Sequence, residues 1–379
     1  TNGEDRVTQS ITWVHVGDLH MDEEDGWLSR DRLKDIVAEV NTHIADAADF
    51  VFLPGDNANH ATHEQYCAIT EALAPLQLPY RVIAGDHDYE LGDLRNFDAA
   101  FPEQNRPEME VIAGYRCIFV DIVSAGAGGP DFRLTMHHRN RLLNELARAE
   151  AEEQTPLVFM HAYPGDLAAD GELIASALSD ARVPYVDTGH THYNELLNDG
   201  RVVYGATRST AQIEEGHGKP GYSLISVYGR VPSWRFKALG TSWPFVQIVS
   251  PADLRMVTRP ADLQQVPHPG EIEVIAKRFG ETDDPMILSC DRQTGIVMTA
   301  LEGTHFWRGV VHLGSGAHNV TVTCADDSDT VKLLVREAHD IPRRGASIAP
   351  GCHVHSIGAW PEHGLEGTQL GPNRNGAHI

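Results

Sequence analysis

The sequence predicts an α/β domain over residues 1–240 followed by a smaller, sandwich-like all-β domain over 270–339. Three observations carry that prediction. Apolar β-rich runs alternate with helix-period segments as far as Lys237, the periodicity becomes purely two-residue beyond 270, and 379 residues exceed what one core fills. In order, Ile11–Val16 reads as a strand, Leu28–Ala48 as a helix, Phe50–Leu53 as a strand, and Glu64–Ala74 as a helix closed by Pro75. Tyr80–Ala84 and Cys117–Asp121 are strands. Arg139–Glu152 is a helix with Leu142, Leu143, Leu146 and Ala149 on one face, and Leu157–Met160 and Tyr185–Thr188 are short buried strands. Val202–Tyr204, Tyr222–Tyr228 and Val231–Phe236 follow, the last two joined by the turn Gly229-Arg230 as a hairpin.

Residues 241–269 carry Pro244, Pro251, Pro260, Pro267 and Pro269, a density that reads as a linker or an irregular docking segment. The β domain is expected as Glu271–Ala276, Met286–Ser289, Ile296–Leu301, Trp307–Val311, His318–Cys324 and Thr330–Arg336. From 340 to 379 the chain is an irregular tail rich in Gly, Pro, Asn and His, compatible with order or disorder. It includes Cys352-His353-Val354-His355, read as a solvated segment, as are His137-His138 and His217.

Composition excludes several classes. With 54 Asp+Glu against 30 Lys+Arg the formal charge is −24, and no basic run offsets it, which argues against coating a nucleic-acid polymer. No apolar run is long enough to span a bilayer. The chain starts at Thr1 without a signal pattern, so nothing about export follows from it. Five scattered cysteines without a C-x-x-C pair point to free thiols and a cytoplasmic location, with one alternative, a Cys290–Cys324 bridge across a sandwich around Trp307. Homo-oligomerisation stays open.

The unusual count is histidine, 21 in all. Five segments lie at the C-terminal ends of predicted strands: Gly17-Asp18-Leu19-His20, Gly55-Asp56-Asn57, Gly85-Asp86-His87-Asp88, Met160-His161 and Gly189-His190-Thr191-His192. In an open α/β sheet those ends face one crevice. Any one of these pieces alone reads as a helix cap or a surface histidine. Together they offer three Asp and several His without Cys, a donor set for Mn, Fe or Zn, and enough ligands for two ions sharing a bridging carboxylate.

These motifs in combination resemble the calcineurin-like metallophosphoesterases, whose pattern is D-x-H, G-D, G-N-H-[D/E], an isolated His after a strand, and G-H-x-H. The resemblance covers residues 11–237, and the stretch around Asp121 with the hairpin after His192 is most similar to the bacterial class III cyclic nucleotide phosphodiesterase branch. It implies a layered α/β/β/α sandwich. It also implies that Asp18, His20 and His192 bind a first metal, that Asp56 bridges, and that Asp86, His161 and His190 bind a second. His87 would stand beside that ion as general acid, with Asp88 either orienting it or capping a helix. Position 86 departs from the pattern, being Asp where the family usually has Asn, and Asn59 stands where many members have a second Asp. The extra anion favours Fe(III) or Mn(II), with Zn as an alternative.

Asn57 and His60 are expected to support the ligands, and Arg95 and Arg208 to meet a phosphate unless each pairs with a nearby acid. The function implied is two-metal hydrolysis of a small-molecule phosphodiester by an activated water. The alternatives are a phosphomonoesterase acting on proteins or sugar phosphates, and a scaffold of the same fold without catalysis, as in an endosomal sorting subunit. A nuclease is disfavoured by the charge.

Overall fold

The computed structural model describes residues 9–213 and 218–337; His217 and the tail motif Cys352-His353-Val354-His355 lie outside the described residues. The first domain runs β1 (Ser10–His15), α1 (Leu28–His43), β2 (Phe50–Leu53), α2 (His63–Leu73), β3 (Tyr80–Val82), α3 (Arg95–Ala100), β4 (Met109–Ile112), β5 (Tyr115–Val120), α4 (Met136–Ala151), β6 (Pro156–Met160), α5 (Gly171–Asp180), β7 (Tyr185–Thr188), β8 (Glu195–Asn198), β9 (Val203–Ala206), β10 (Gly221–Tyr228) and β11 (Val231–Ala238). One sheet has the order β11-β10-β1-β2-β3 and the other β4-β5-β6-β7-β9-β8. The strands β1, β2 and β3 are parallel, as are β5, β6, β7 and β9. Their C-terminal ends therefore share one rim. The Gly229-Arg230 turn closes the expected hairpin, with Tyr228 opposite Val231.

The two-residue strand period explains the layering. Trp13, Phe50, Phe52, Cys117, Phe119, Leu157 and Phe159 point into the space between the sheets. Their neighbours Val14, Val51, Leu53, Ile118, Val120, Val158 and Met160 turn outward into the cluster that holds Leu33, Ile36 and Val40 of α1 and Leu142 and Leu146 of α4. Both faces are buried, so these strands read as continuous apolar runs and the whole is a helix/sheet/sheet/helix sandwich.

The β domain is two four-stranded sheets around a shared core. Its strands are β12 (Phe245–Ser250), β13 (Gly270–Phe279), β14 (Ile287–Cys290), β15 (Gln293–Val297), β16 (Thr299–Ala300), β17 (Phe306–Leu313), β18 (Gly316–Cys324) and β19 (Asp327–Val335). The stretch read as a linker thus contains a strand, β12, paired antiparallel with β13. Its prolines bracket that strand at 244 and 251, where a missing N–H costs the ladder little.

The Cys290–Cys324 bridge is not formed; both thiols are free and buried. Register explains why. Cys290 pairs with Val320 on adjacent strands of one sheet, so Cys324 lies four residues further along. At strand rise that is about 13 Å, beyond disulfide reach.

The two domains are docked through specific contacts. The Gly280 N–H donates to the His43 carbonyl (3.0 Å) and ends α1 five residues before the expected Ala48. Arg235 forks onto Asp327 (2.6 and 2.8 Å), Lys277 Nζ donates to Thr12 Oγ1 (2.8 Å), and Phe245 and Phe279 complete the core cluster that holds Val14.

Candidate metal centre

Five of the strands that end on the rim, β1, β2, β3, β6 and β7, each deliver a short turn carrying a candidate ligand. Asp18 and His20 follow β1, Asp56 follows β2, Asp86 follows β3, His161 follows β6, and His190 and His192 follow β7. Four of them, His20, Asp56, His190 and His192, have left-handed backbone with φ between 40° and 67°. For residues with a Cβ that conformation costs free energy and persists where the surroundings impose it. Crowding imposes it here: a Cβ at Gly85 would fall on Asp56 Oδ1, and one at Gly189 on Asp18 Oδ1, so only glycine lets these turns converge.

The convergence yields two ligand groups, Asp18, His20, Asp56, His192 and Asp56, Asp86, His161, His190, the ligand atoms of each lying within 4.8 Å of one another. Asp56 is common to both and its oxygens divide: Oδ2 is 3.5 Å from His20 Nε2, and Oδ1 is 3.4 Å from His161 Nε2. His161 Nε2 and His190 Nδ1 also approach Asp86 Oδ1 (3.2 and 3.4 Å), and His192 Nε2 approaches Asp18 Oδ2 (3.6 Å).

The tautomers indicate what this arrangement awaits. His161 Nδ1 lies 2.8 Å from the Pro54 carbonyl, which can only accept, so Nδ1 carries the hydrogen and the Nε2 lone pair faces two carboxylates. His20 Nδ1 likewise meets Asn59 Oδ1 (3.1 Å), which leaves its Nε2 facing His192 Nε2 at 2.9 Å. Lone pairs directed at anions and at each other require cations between them. Asp18 Oδ1 is buried without a hydrogen-bond partner, as expected of an oxygen reserved for a metal. The donor set therefore fits two cations.

Electrostatics agree. Burial raises the Asp56 and Asp86 carboxyls, but nearby imidazoles, His161 foremost for Asp56, outweigh it and hold both below the usual carboxylate range. Burial lowers the His161 imidazolium, yet Asp56 and Asp86 drive it well above its ordinary value, so without metal a proton takes the cation's place. His192 is pushed down to about 4, chiefly by burial, and stays a neutral donor at pH 7.

His87 sits at the rim beside His20, ring centroids 4.6 Å apart. Its N–H donates to Asp56 Oδ1 (2.9 Å) and its Nδ1 to the Asn59 carbonyl (2.8 Å). Asp88 does not orient it. That carboxylate is buried on the other side of the turn, accepting from Asn57 N, Asn57 Nδ2, Ala58 N, Gly85 N and Tyr66 Oη at 2.7–3.2 Å. Nor is Asn57 turned to substrate: it is fully buried, its amide spent on Asp88 and the Ile83 carbonyl. Arg95 is exposed and paired with Asp93 (2.8 Å). The Arg208 guanidinium stacks on Phe236 (4.5 Å) and donates to the Lys219 carbonyl (2.9 Å), while its main chain packs against Gly17. His60 pairs with Glu90 (2.9 Å) at the surface, and His137 lies exposed beside Glu108 (3.6 Å).

Three contributors carry no motif. Asn59 holds His20 through its side chain and His87 through its carbonyl, and is itself held by donation to Asp22 (2.7 Å). The Phe132 ring packs edge-on against His161 and His190 (5.7 and 4.9 Å). Asp166, raised to about 6 by burial, feels the charge of His190. Pro164 before Asp166 is the sole local signal for this turn, and none marks Phe132.

Residues 11–194 match the family model for calcineurin-like phosphoesterases. The domain is thus a metal-dependent phosphoesterase, a hydrolase of ester bonds, and the family typically uses two metal ions. Among solved structures, the chain is similar to a dimetal phosphatase from Danio rerio (12% identity, 60% of this chain and 96% of that one, TM-score 0.44). It is also similar to GAP50, the anchor in the inner membrane complex of Plasmodium (13%, 62% and 86%, 0.44) and to a predicted phosphoesterase from Streptococcus pneumoniae (14%, 60% and 90%, 0.28). No curated protein matches. No helix among the described residues is long and apolar enough to cross a membrane.

Proposed function

We propose that this phosphoesterase hydrolyses small phosphodiesters, cyclic nucleotides or related esters, rather than monoesters. The observation that carries the reading is the third carboxylate, Asp86, within the ligand set. Asp18, Asp56 and Asp86 against two divalent ions leave a formal charge of about +1, which matches a diester monoanion better than a monoester dianion. Arg95 does not alter that balance, being paired with Asp93, and the Arg208 guanidinium is held on the Phe236 ring and the Lys219 carbonyl.

Bound cations would supply an activated water and a clamp on the phosphoryl oxygens. Asp18, His20 and His192 would hold one, Asp86, His161 and His190 the other, and Asp56 would offer one oxygen to each. The anionic set favours Fe or Mn over Zn. His87 keeps Nδ1 on the Asn59 carbonyl, so its Nε2 is the atom that hands a proton to the departing alkoxide. The cytoplasmic setting agrees with four described thiols remaining free.

The test compares bis(p-nitrophenyl) phosphate, p-nitrophenyl phosphate and a cyclic nucleotide on metal-analysed protein, with Asp86→Asn alongside. Diester preference in the wild type, shifting toward the monoester in Asp86→Asn, is expected. Monoester preference in the wild type would overturn the charge argument, and no turnover of any ester at two ions per chain would favour the scaffold.

A further inference from the structure

The layer between the two sheets is largely aromatic and aliphatic. His15 and Asp187, both fully buried, meet there across the gap, with Nδ1 2.7 Å from Oδ1. The other carboxylate oxygen accepts from Trp13 Nε1 at 2.6 Å. His15 and Trp13 stand on β1 in one sheet, and Asp187 on β7 in the other. His15 Nε2 has no hydrogen-bond partner, and the ring lies edge-on to Phe52 at 5.6 Å.

Stability is a poor reason for such a group. Placing a carboxylate and an imidazole in an apolar layer costs several kcal/mol of desolvation, and apolar replacements of similar volume often fold as well or better. Apolar packing cannot supply direction, however. Strands β1 and β7 share no backbone ladder, since β1 pairs with β10 and β2 while β7 pairs with β6 and β9. Their offset along the strand axes is left to side chains, and two short charge-assisted hydrogen bonds define it more sharply than aromatic contact does.

That offset matters at the rim. Three residues beyond His15 is Asp18, followed by His20; three beyond Asp187 is His190, followed by His192. The first ligand group takes every member except the shared Asp56 from these two strands, whereas the second takes Asp86 from β3 and His161 from β6. Strands β2 and β3 are laddered to β1, and β6 to β7, so a slide of β1 against β7 moves sheet against sheet and opens both groups, each of which draws on both sheets.

We infer that Trp13, His15 and Asp187 form a clasp of positioning residues that sets one sheet against the other through β1 and β7 and so tunes affinity for both cations. The inference rests on the two-metal reading above. The experiment titrates metal-depleted full chain with Mn2+ alone and follows both binding steps and thermal unfolding. Three proteins are compared: wild type, Asp187→Asn, and the apolar pair His15→Phe with Asp187→Leu. Asp187→Asn is expected to weaken both steps by about 10-fold or more. The apolar pair is expected to unfold near the wild-type temperature yet keep both steps weakened. Wild-type binding at both steps in the apolar pair would overturn the clasp, as would wild-type binding at both steps in Asp187→Asn. If the apolar pair does not fold, binding to Asp187→Asn decides alone. If the wild type binds fewer than two Mn2+ ions, the metal reading fails and the clasp falls with it.

Discussion

Replacing His87 with glutamine separates a proton donor from a ligand, because the two roles respond differently to the leaving group. The geometry commits Nδ1 to the Asn59 carbonyl at 2.8 Å and the main-chain N–H to Asp56, so Nε2 is the ring atom available for proton transfer. Burial lowers the imidazolium pKa, but Asp56 and the Asn59 carbonyl raise it further, and the net shift is upward. The acid form then persists below that raised value, and turnover of esters with basic leaving groups falls as pH rises through it. A general acid contributes about 10²–10⁴-fold, so His87→Gln should slow alkyl esters by that factor and barely change a nitrophenolate, which departs unprotonated. The assay is a leaving-group series on protein of verified metal content, run with the pH profile. An even loss across the series, or an unchanged alkaline limb in the variant, would refute the reasoning.

Asp56→Ala should lose both ions together, since its oxygens face the two ligand groups separately, and elemental analysis finding one ion retained would contradict the bridge. Asp88→Ala strands five donors in the core and should lower unfolding free energy by about 3–5 kcal/mol in urea titrations; a loss under about 1 kcal/mol would show the donors re-paired. Lys277, at the domain junction, is depressed to about 8 from 10.5 by burial, which Asp49 and Asp46 only partly offset. Because the folded value lies below the unfolded one, its charged form penalises folding below pH 8, and the penalty fades as pH rises from about 8 to 10.5. Wild type should gain roughly 3 kcal/mol over that window relative to Lys277→Met, and parallel pH curves would exclude it.

The candidate ligand set was legible because its chemistry is local. Each turn pairs a glycine, or a strand end, with an Asp or His, and the parallel strand order that gathers these ends follows from alternating apolar runs and helices. Orientation was not legible in the same way. Asp88 adjoins His87 in sequence and looks like its partner, yet a 3-10 turn at 87–89 sends the two side chains to opposite sides, one to the rim and one to Tyr66 and the Asn57 main chain. Asn59 registers in sequence only as a departure from a family pattern. In the fold it touches both His20 and His87, a position set by a turn whose course depends on Asp22.

The same distinction governs the domain boundary. Proline density marked 241–269 as irregular, and locally that is sound, since prolines are confined to strand ends, bulges and edge strands. What the count misses is spacing. Pro244 and Pro251 leave six residues between them, enough for β12, and the strand that recruits those six, β13, begins after Pro269. Strand β13 also carries Lys277 to Thr12 and leads into Gly280, whose N–H closes α1 at His43. Thr12 lies on β1, the strand whose C-terminal turn carries Asp18. The β domain supplies no member of the two groups that share Asp56, yet it grips the base of a strand whose tip carries Asp18 and His20. Cutting the chain at 240 would therefore remove neither metal ligand nor acid, but it would expose Phe245's place in the core and free the lower end of β1, so metal affinity and domain docking are coupled through one strand.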